Sequence, residues 1–168
     1  MSRIVLPYKR KQQGKTDYKK RLNLLKSGKL RFVVRKSIKN ILLQIVSYEP
    51  DGDKILMSVH SSSLKKYGWD FHRGNIPSAY LTGLLCGKLA KEKDLEEANL
   101  DLGLVKSVKG SVQYAAVKGA KDSGMIIPCS EEILPNQERI EGKSISEEVN
   151  KKFLEAKSKI VGGKNEGQ

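Results

Sequence analysis

Two histidines and two cysteines are the scarce metal-binding and nucleophilic side chains of this 168-residue chain. A metal site or a general base needs several such groups, or carboxylates, converging on one point. His60 ends a strand-like run, and His72 lies in a loop beside Arg73 and Asn75, where it suits contact with a nucleic acid better than catalysis. Neither Cys86 nor Cys129 has a second thiol at ligand spacing. Asp101, in Asp101-Leu102-Gly103, sits where two-metal nucleases carry a carboxylate, but such centres need several acids and none can be paired with it. A metal-dependent RNA-processing enzyme using Asp101 is therefore the alternative reading. The run Gly83-Leu84-Leu85-Cys86-Gly87-Lys88-Leu89 approximates a phosphate-binding loop. It is one residue short, has Leu89 where Ser or Thr should hold magnesium, and falls inside a helical pattern whose amides are already bonded. Helix-packing glycines account for it. No catalytic residue, metal or cofactor is expected.

The charges are more informative. The chain has 32 Lys+Arg against 19 Asp+Glu, a formal +13. Residues 1–40 hold 14 of the cations and one acid, Asp17, so the other 128 residues, with 18 of each sign, sum to zero. A solvated face mixes both signs; fourteen against one is a polyanion-binding segment, with nucleic acid as the leading partner and an anionic membrane surface as its competitor. The longest uncharged run, 74–87, has 14 residues, too few to span a bilayer. Ile4-Val5-Leu6 is too short for the apolar core of a signal peptide. Two cysteines without framework spacing suit a reducing, cytoplasmic compartment.

Residues 1–14 lack apolar periodicity and read as an extended basic arm. Residues 15–157 read as a single α/β domain, and 158–168 as a disordered Gly-rich tail. Thr16 is the expected N-cap of a short helix with Tyr18, Leu22 and Leu25 on one face and Lys19, Lys20, Asn23 and Lys26 on the other; Gly28 stops it. Three strands are expected at 30–36, 41–48 and 54–60, joined by short turns into an antiparallel meander. Ser61–Tyr67 reads as a short helix, and Pro77 starts a buried one reaching about Lys91, in which Gly83 and Gly87 would admit a neighbouring backbone. Residues 98–104 alternate as a strand, Ser111 caps a helix through Ser123, 125–142 is irregular, and Ser144-x-x-Glu147 forms a capping box for a last helix. This order implies a layered α/β fold whose mixed sheet is covered on both faces.

Onto these elements the candidate contacts fall as follows. Tyr8 and Tyr18 interleave with Lys9, Arg10, Lys11, Lys15 and Lys19, so rings can stack on unpaired bases while the cations neutralise backbone. Arg21 follows on the same helix. Arg31 and Arg35 alternate on one side of a strand, with Lys36, Ser37 and Lys39 in the next turn, extending the cationic surface onto the body. Arg73 and Asn75, near Trp69 and Phe71, form a second patch, with Trp69 equally suited to be a core lid. Lys109 and Ser111 precede a helix N-terminus, where amides and dipole favour an anion. Tyr8, Ser37, Asn75 and Ser111 would supply stacking or hydrogen bonds that set register.

The runs Lys15-Thr16-Asp17-Tyr18, Arg21-Leu22-Asn23-Leu24-Leu25-Lys26-Ser27-Gly28-Lys29 and Val34-Arg35-Lys36-Ser37 resemble the 5S-rRNA-binding large-subunit ribosomal protein family L-eighteen, in its archaeal form. The match continues through Tyr67-Gly68-Trp69, residues 75–85, residues 100–104, Lys118-Gly119-Ala120, Ile127-Pro128 and Arg139-Ile140-x-Gly142, covering about residues 8 to 156. The resemblance implies a three-layer α/β/α domain with ribonuclease-H-like topology and no catalytic function. It also implies that the arm and first helix lie on RNA, and that the partners are 5S rRNA, 23S rRNA and neighbouring large-subunit proteins of the central protuberance, with no membrane and no small-molecule substrate. Cys129 departs from the pattern, standing where archaeal relatives are expected to carry His, and is left out of the site. Residues 158–168 carry no family pattern, and the longer eukaryotic relative has a C-terminal extension that has no counterpart here.

Overall fold

Aliphatic and β-branched residues alternate through positions 30–60, and this stretch folds into three consecutive strands, β1 (Leu30–Lys36), β2 (Ile41–Ser47) and β3 (Lys54–His60). The computed structural model describes residues 6–162. β1 and β2 pair antiparallel from Arg31↔Val46 to Lys36↔Ile41, and β2 and β3 from Leu42↔His60 to Ser47↔Lys54. A fourth strand, β4 (Ala98–Asp101), adds parallel to β1, with Arg31 opposite Asn99 and Val33 opposite Asp101. The sheet order is β3-β2-β1-β4, so β2 alone runs against the rest, which gives the mixed sheet of the expected α/β fold. A parallel bridge, Glu97↔Ile126, continues pairing in register with β4.

Six α-helices accompany the sheet among the described residues: α1 (Lys9–Gln12), α2 (Tyr18–Leu25), α3 (Ile76–Glu92), α4 (Val112–Asp122), α5 (Gln137–Ile140) and α6 (Glu147–Gly162). Period two sends Phe32 and Val34 of β1, Leu43 and Ile45 of β2, and Met57 and Val59 of β3 to one face, where they are buried in the core with α3 and α4 residues. Full burial of each large side chain is worth about 1.5–3 kcal/mol. The helices touch backbone to backbone at two glycines. A Cβ on Gly83 would lie 2.0 Å from the Ala116 carbonyl oxygen, and one on Gly119 would lie 2.1 Å from that of Tyr80. The expected close approach therefore occurs. α6 adds Val149, Phe153, Ala156 and Ile160 to the core. Phe153 packs 5.6 Å from the Tyr80 ring, whose hydroxyl donates to Asp122.

Several local expectations are corrected. Asp17, not Thr16, caps α2: its Oδ1 accepts from the amides of Lys19 and Lys20 at 3.0 and 3.1 Å, and a carboxylate is also favoured by the helix dipole. Thr16 instead accepts from Arg10 Nε. Within the arm, expected to be extended, Lys9–Gln12 make one helical turn closed by the Lys11 and Gln12 amides on the Tyr8 carbonyl; residues 1–5 of the arm lie outside the described residues. The strand expected at 98–104 stops at Asp101, because Asp101 Oδ1 accepts from the Gly103 amide and Gly103 turns to φ +63°. Ser146, rather than Ser144, accepts from the amide three residues on, that of Val149. The tail expected to be disordered from Ser158 is helical to Gly162, since Ile160 still reaches the core; the remainder of that expectation, 163–168, lies outside the described residues.

Candidate nucleic-acid interface

The second face of the sheet carries charge where the first carries hydrocarbon. Arg31, Val33 and Arg35 of β1 alternate onto it, joined by Gln44 and Val46 of β2, Ile55 of β3 and Asp101 of β4. α2 stands over this face and is tied to it by one bidentate pair, Arg21 to Asp53 at 2.7 and 2.9 Å. Between α2, the sheet and the segment after β4 lies an open groove of ≈ 1280 Å³.

The floor of the groove is an ionic row. Arg31 Nη2 lies 2.7 Å from Asp53 Oδ1, and its Nη1 donates to Asp101 Oδ2 at 3.4 Å. Arg35 donates to the Asp101 backbone oxygen at 2.9 Å and to its Oδ1 at 3.3 Å. The Arg21 pair, with Arg31 adding, holds the Asp53 carboxyl well below the usual range, at about 2. Asp53 was not anticipated as part of any site. It follows a Pro-Asp-Gly turn and meets Arg21 across 32 positions of chain, so no local pattern announces it.

This geometry reassigns several sequence candidates. Arg31 is 3% exposed and shared by two carboxylates. It is therefore a structural cation and not part of the exposed polyanion surface expected of it. The alternation with Arg35 was read correctly, but period two does not reveal that α2 and two aspartates cover one end of the row. Ser37 uses its hydroxyl in the β1–β2 turn, donating to the Asn40 carbonyl and accepting from the Asn40 amide, both at 3.0 Å; it presents Lys36 and Lys39, which are exposed. Asn75 caps α3 through its Oδ1, which accepts from the Ser78 amide at 3.0 Å. Half-buried Arg73 precedes Gly74, whose Cα faces the backbone of Ile38 and Lys39 closely enough that a Cβ would clash, so the second patch adjoins the β1–β2 turn. Trp69 is buried, the core-lid alternative. Ser111 occupies the N-cap position of α4 without a side-chain cap bond, and Lys109 beside it is exposed.

The cations of the first two helices remain on the surface. Lys9, Arg10, Lys11, Lys15 and Lys19 are all exposed. Tyr8, 72% exposed, packs its ring 5.0 Å from that of Tyr18, leaving its outer side open. Contrary to the expected stripe, Leu22 is exposed, while Tyr18, Arg21, Leu24 and Leu25 are half-buried. Arg10, Lys15, Tyr18, Arg21 and Arg35 line the one groove; the Lys36–Lys39 turn, Arg73 and Lys109 do not.

The residues with catalytic potential are otherwise engaged. Both Asp101 oxygens are held by guanidinium groups, with the Gly103 amide on Oδ1 at 2.7 Å. His60 Nδ1 accepts from the Ser62 amide and His72 Nδ1 from that of Gly74, so both rings cap their own turns. Burial pushes the Cys86 thiol up to about 12. Among the described residues no group of three His, Cys, Asp or Glu is placed to hold a metal, and no helix is long and apolar enough to cross a membrane. A family model described as ribosomal large subunit proteins 60S L5, and 50S L18, matches residues 2–98, which carry α1, α2, the meander and α3.

Proposed function

Because this chain belongs to that family of ribosomal large-subunit proteins, we propose that it binds 5S rRNA and attaches it to 23S rRNA, beside neighbouring proteins of the central protuberance. Membership makes it an RNA-binding structural constituent of the large subunit; the choice of RNA is our reading. The observation that carries it is the distribution of charge. Fourteen cations and one acid occupy residues 1–40; those exposed on α1 sit on a single helical turn, and those on α2 on a helix capped by Asp17 and tied by Arg21 to Asp53. Folded RNA presents phosphates at fixed spacing, and cations already fixed in place lose less entropy in meeting them.

Lys9, Arg10, Lys11, Lys15 and Lys19 neutralise phosphate, and Lys36 and Lys39 do so from the β1–β2 turn. Tyr8 offers a stacking surface. Neutralising about six to ten phosphates gives a log–log dependence of affinity on salt with a slope of several units. Filter binding of 5S rRNA across a potassium chloride series tests this. Removing residues 1–14 is expected to flatten the slope while the body stays folded. An unchanged slope would show that the arm is not the grip, and equal affinity for transfer RNA would overturn the assignment to 5S rRNA.

A further inference from the structure

The ionic row on the outer face of the sheet alternates cation, anion, cation, anion, cation: Arg21, Asp53, Arg31, Asp101, Arg35. It holds three guanidinium groups and two carboxylates, so it is one anion short. Its centre is matched, since Arg31, 3% exposed, lies between Asp53 and Asp101 with only its Nε contacting neither carboxylate among the described residues, so the unmatched charge falls to the ends of the row. An excess positive charge in a partly dehydrated setting draws an anion more strongly than the same charge in water. Arg35, at the open end of the row with its side chain 44% exposed, is the place where one could arrive.

The rest of the groove is shaped for more than an anion. Val33, Val46 and Ile55 give it an apolar floor, and Tyr18 on α2 forms its opposite wall. Gln44 lies between Val33 and the β3 side of the sheet, half-buried and lining the groove, and among the described residues its side-chain amide has no hydrogen-bond partner. A half-buried amide without a partner, set in an apolar floor, can read the edge of a flat polar ring. At ≈ 1280 Å³ the groove is far larger than a single ion or water cluster. Lys15 and Lys20 stand on its rim.

We propose that this groove is a nucleotide-binding subsite: it takes a short unpaired stretch of ribosomal RNA, with phosphate completing the ionic row at Arg35 and a base lying between the Val33–Val46–Ile55 floor and Tyr18, its edge on Gln44. The inference rests on the RNA-binding reading but adds a second contact to it. The exposed arm meets RNA mainly through charge, with Tyr8 as a stacking surface, whereas the groove encloses an unstacked base and reads its edge. A peptide segment of a neighbouring protein is disfavoured because the lining cations outnumber the acids, six to three.

The test uses the full chain with Gln44→Ala and Gln44→Glu, neither of which touches the core face or the arm. With 5S rRNA as the probe, Gln44→Ala is expected to weaken binding about fivefold and Gln44→Glu about tenfold or more, as loss of a base contact and then repulsion of phosphate require. The salt slope should stay within one unit of the parent. Dimethyl sulfate probing should show one to three unpaired bases protected by the parent and reopened by Gln44→Ala. Wild-type affinity in both variants overturns the proposal. A photocrosslinker at position 44, read in assembled subunits, separates the two readings. A crosslink to rRNA other than 5S keeps the subsite and moves it off 5S rRNA without touching the arm's role, while a crosslink to protein removes the subsite and leaves the arm's role standing.

Discussion

The two faces of the central sheet solve opposite problems with the same strands. On the inner face, Phe32, Val34, Leu43 and Ile45 are covered by α3 and α4, and the helices meet so closely that Gly83 and Gly119 have no room for a Cβ. On the outer face, Arg31 is buried but Arg35 and Gln44 are only partly covered, beneath α2, which contributes no fully buried residue and is held by one ion pair. One face is built by excluding water and the other by matching charges around a space left open. Stability thus belongs mainly to the first, and the proposed recognition to the second.

The inner face is the more sensitive of the two to a single added side chain. Gly119→Val sets side-chain atoms against the Tyr80 backbone and is expected to cost more than about 3 kcal/mol, read as a lower urea midpoint. A helix interior ordinarily gains from replacing Gly, so an unchanged or raised midpoint would show that the helix contact is not tight. Next comes the buried end of the outer face. Arg31→Met leaves Asp101 with Arg35 alone and Asp53 with Arg21 alone, at a cost of about 3 kcal/mol. Adding Asp101→Leu should return part of that loss. If the double variant is no more stable than the single, the row does not act as a unit.

The smallest effect sharpens the outer face alone. The Asp53 carboxyl is held at about 2 in the folded chain against an ordinary 3.8. A group with a lowered folded value stabilises fully above its unfolded value, and that contribution disappears as pH falls through the folded one. The Arg21–Asp53 tie should therefore weaken between about pH 4 and pH 2. Asp53→Asn should make the midpoint flatter with pH across that window, and an identical pH profile in the variant would assign acid sensitivity to other carboxylates.

The meander was readable because its signal is local. Strands β1 and β3 fall at the expected residues, since alternating Val, Ile and Leu with short turns between them fixes both period and pairing. The errors are local competitions decided by one atom. Asp17 outbids Thr16 for the α2 amides, and Asp101 bends the chain at Gly103 before the alternation ends. The candidate site was legible in part for the same reason. Exposed cations such as Lys9 and Lys15 announce themselves, whereas Asp53, Gln44 and Ile55 acquire meaning only beside residues far along the chain.

By itself, then, the sequence determined that the chain is an α/β protein with a neutral body and a cationic N-terminal segment, because composition, charge and periodicity are properties of neighbouring residues. Which of those charges are available was decided by tertiary structure alone. Arg31 and Arg35 are the same residue type, four residues apart on the same face of one strand. Asp53 arrives from the turn before β3 and α2 folds over the first, so one becomes internal scaffolding while the other opens into a groove. Exposure depends on what lies opposite in space, and no spacing along a chain encodes that directly.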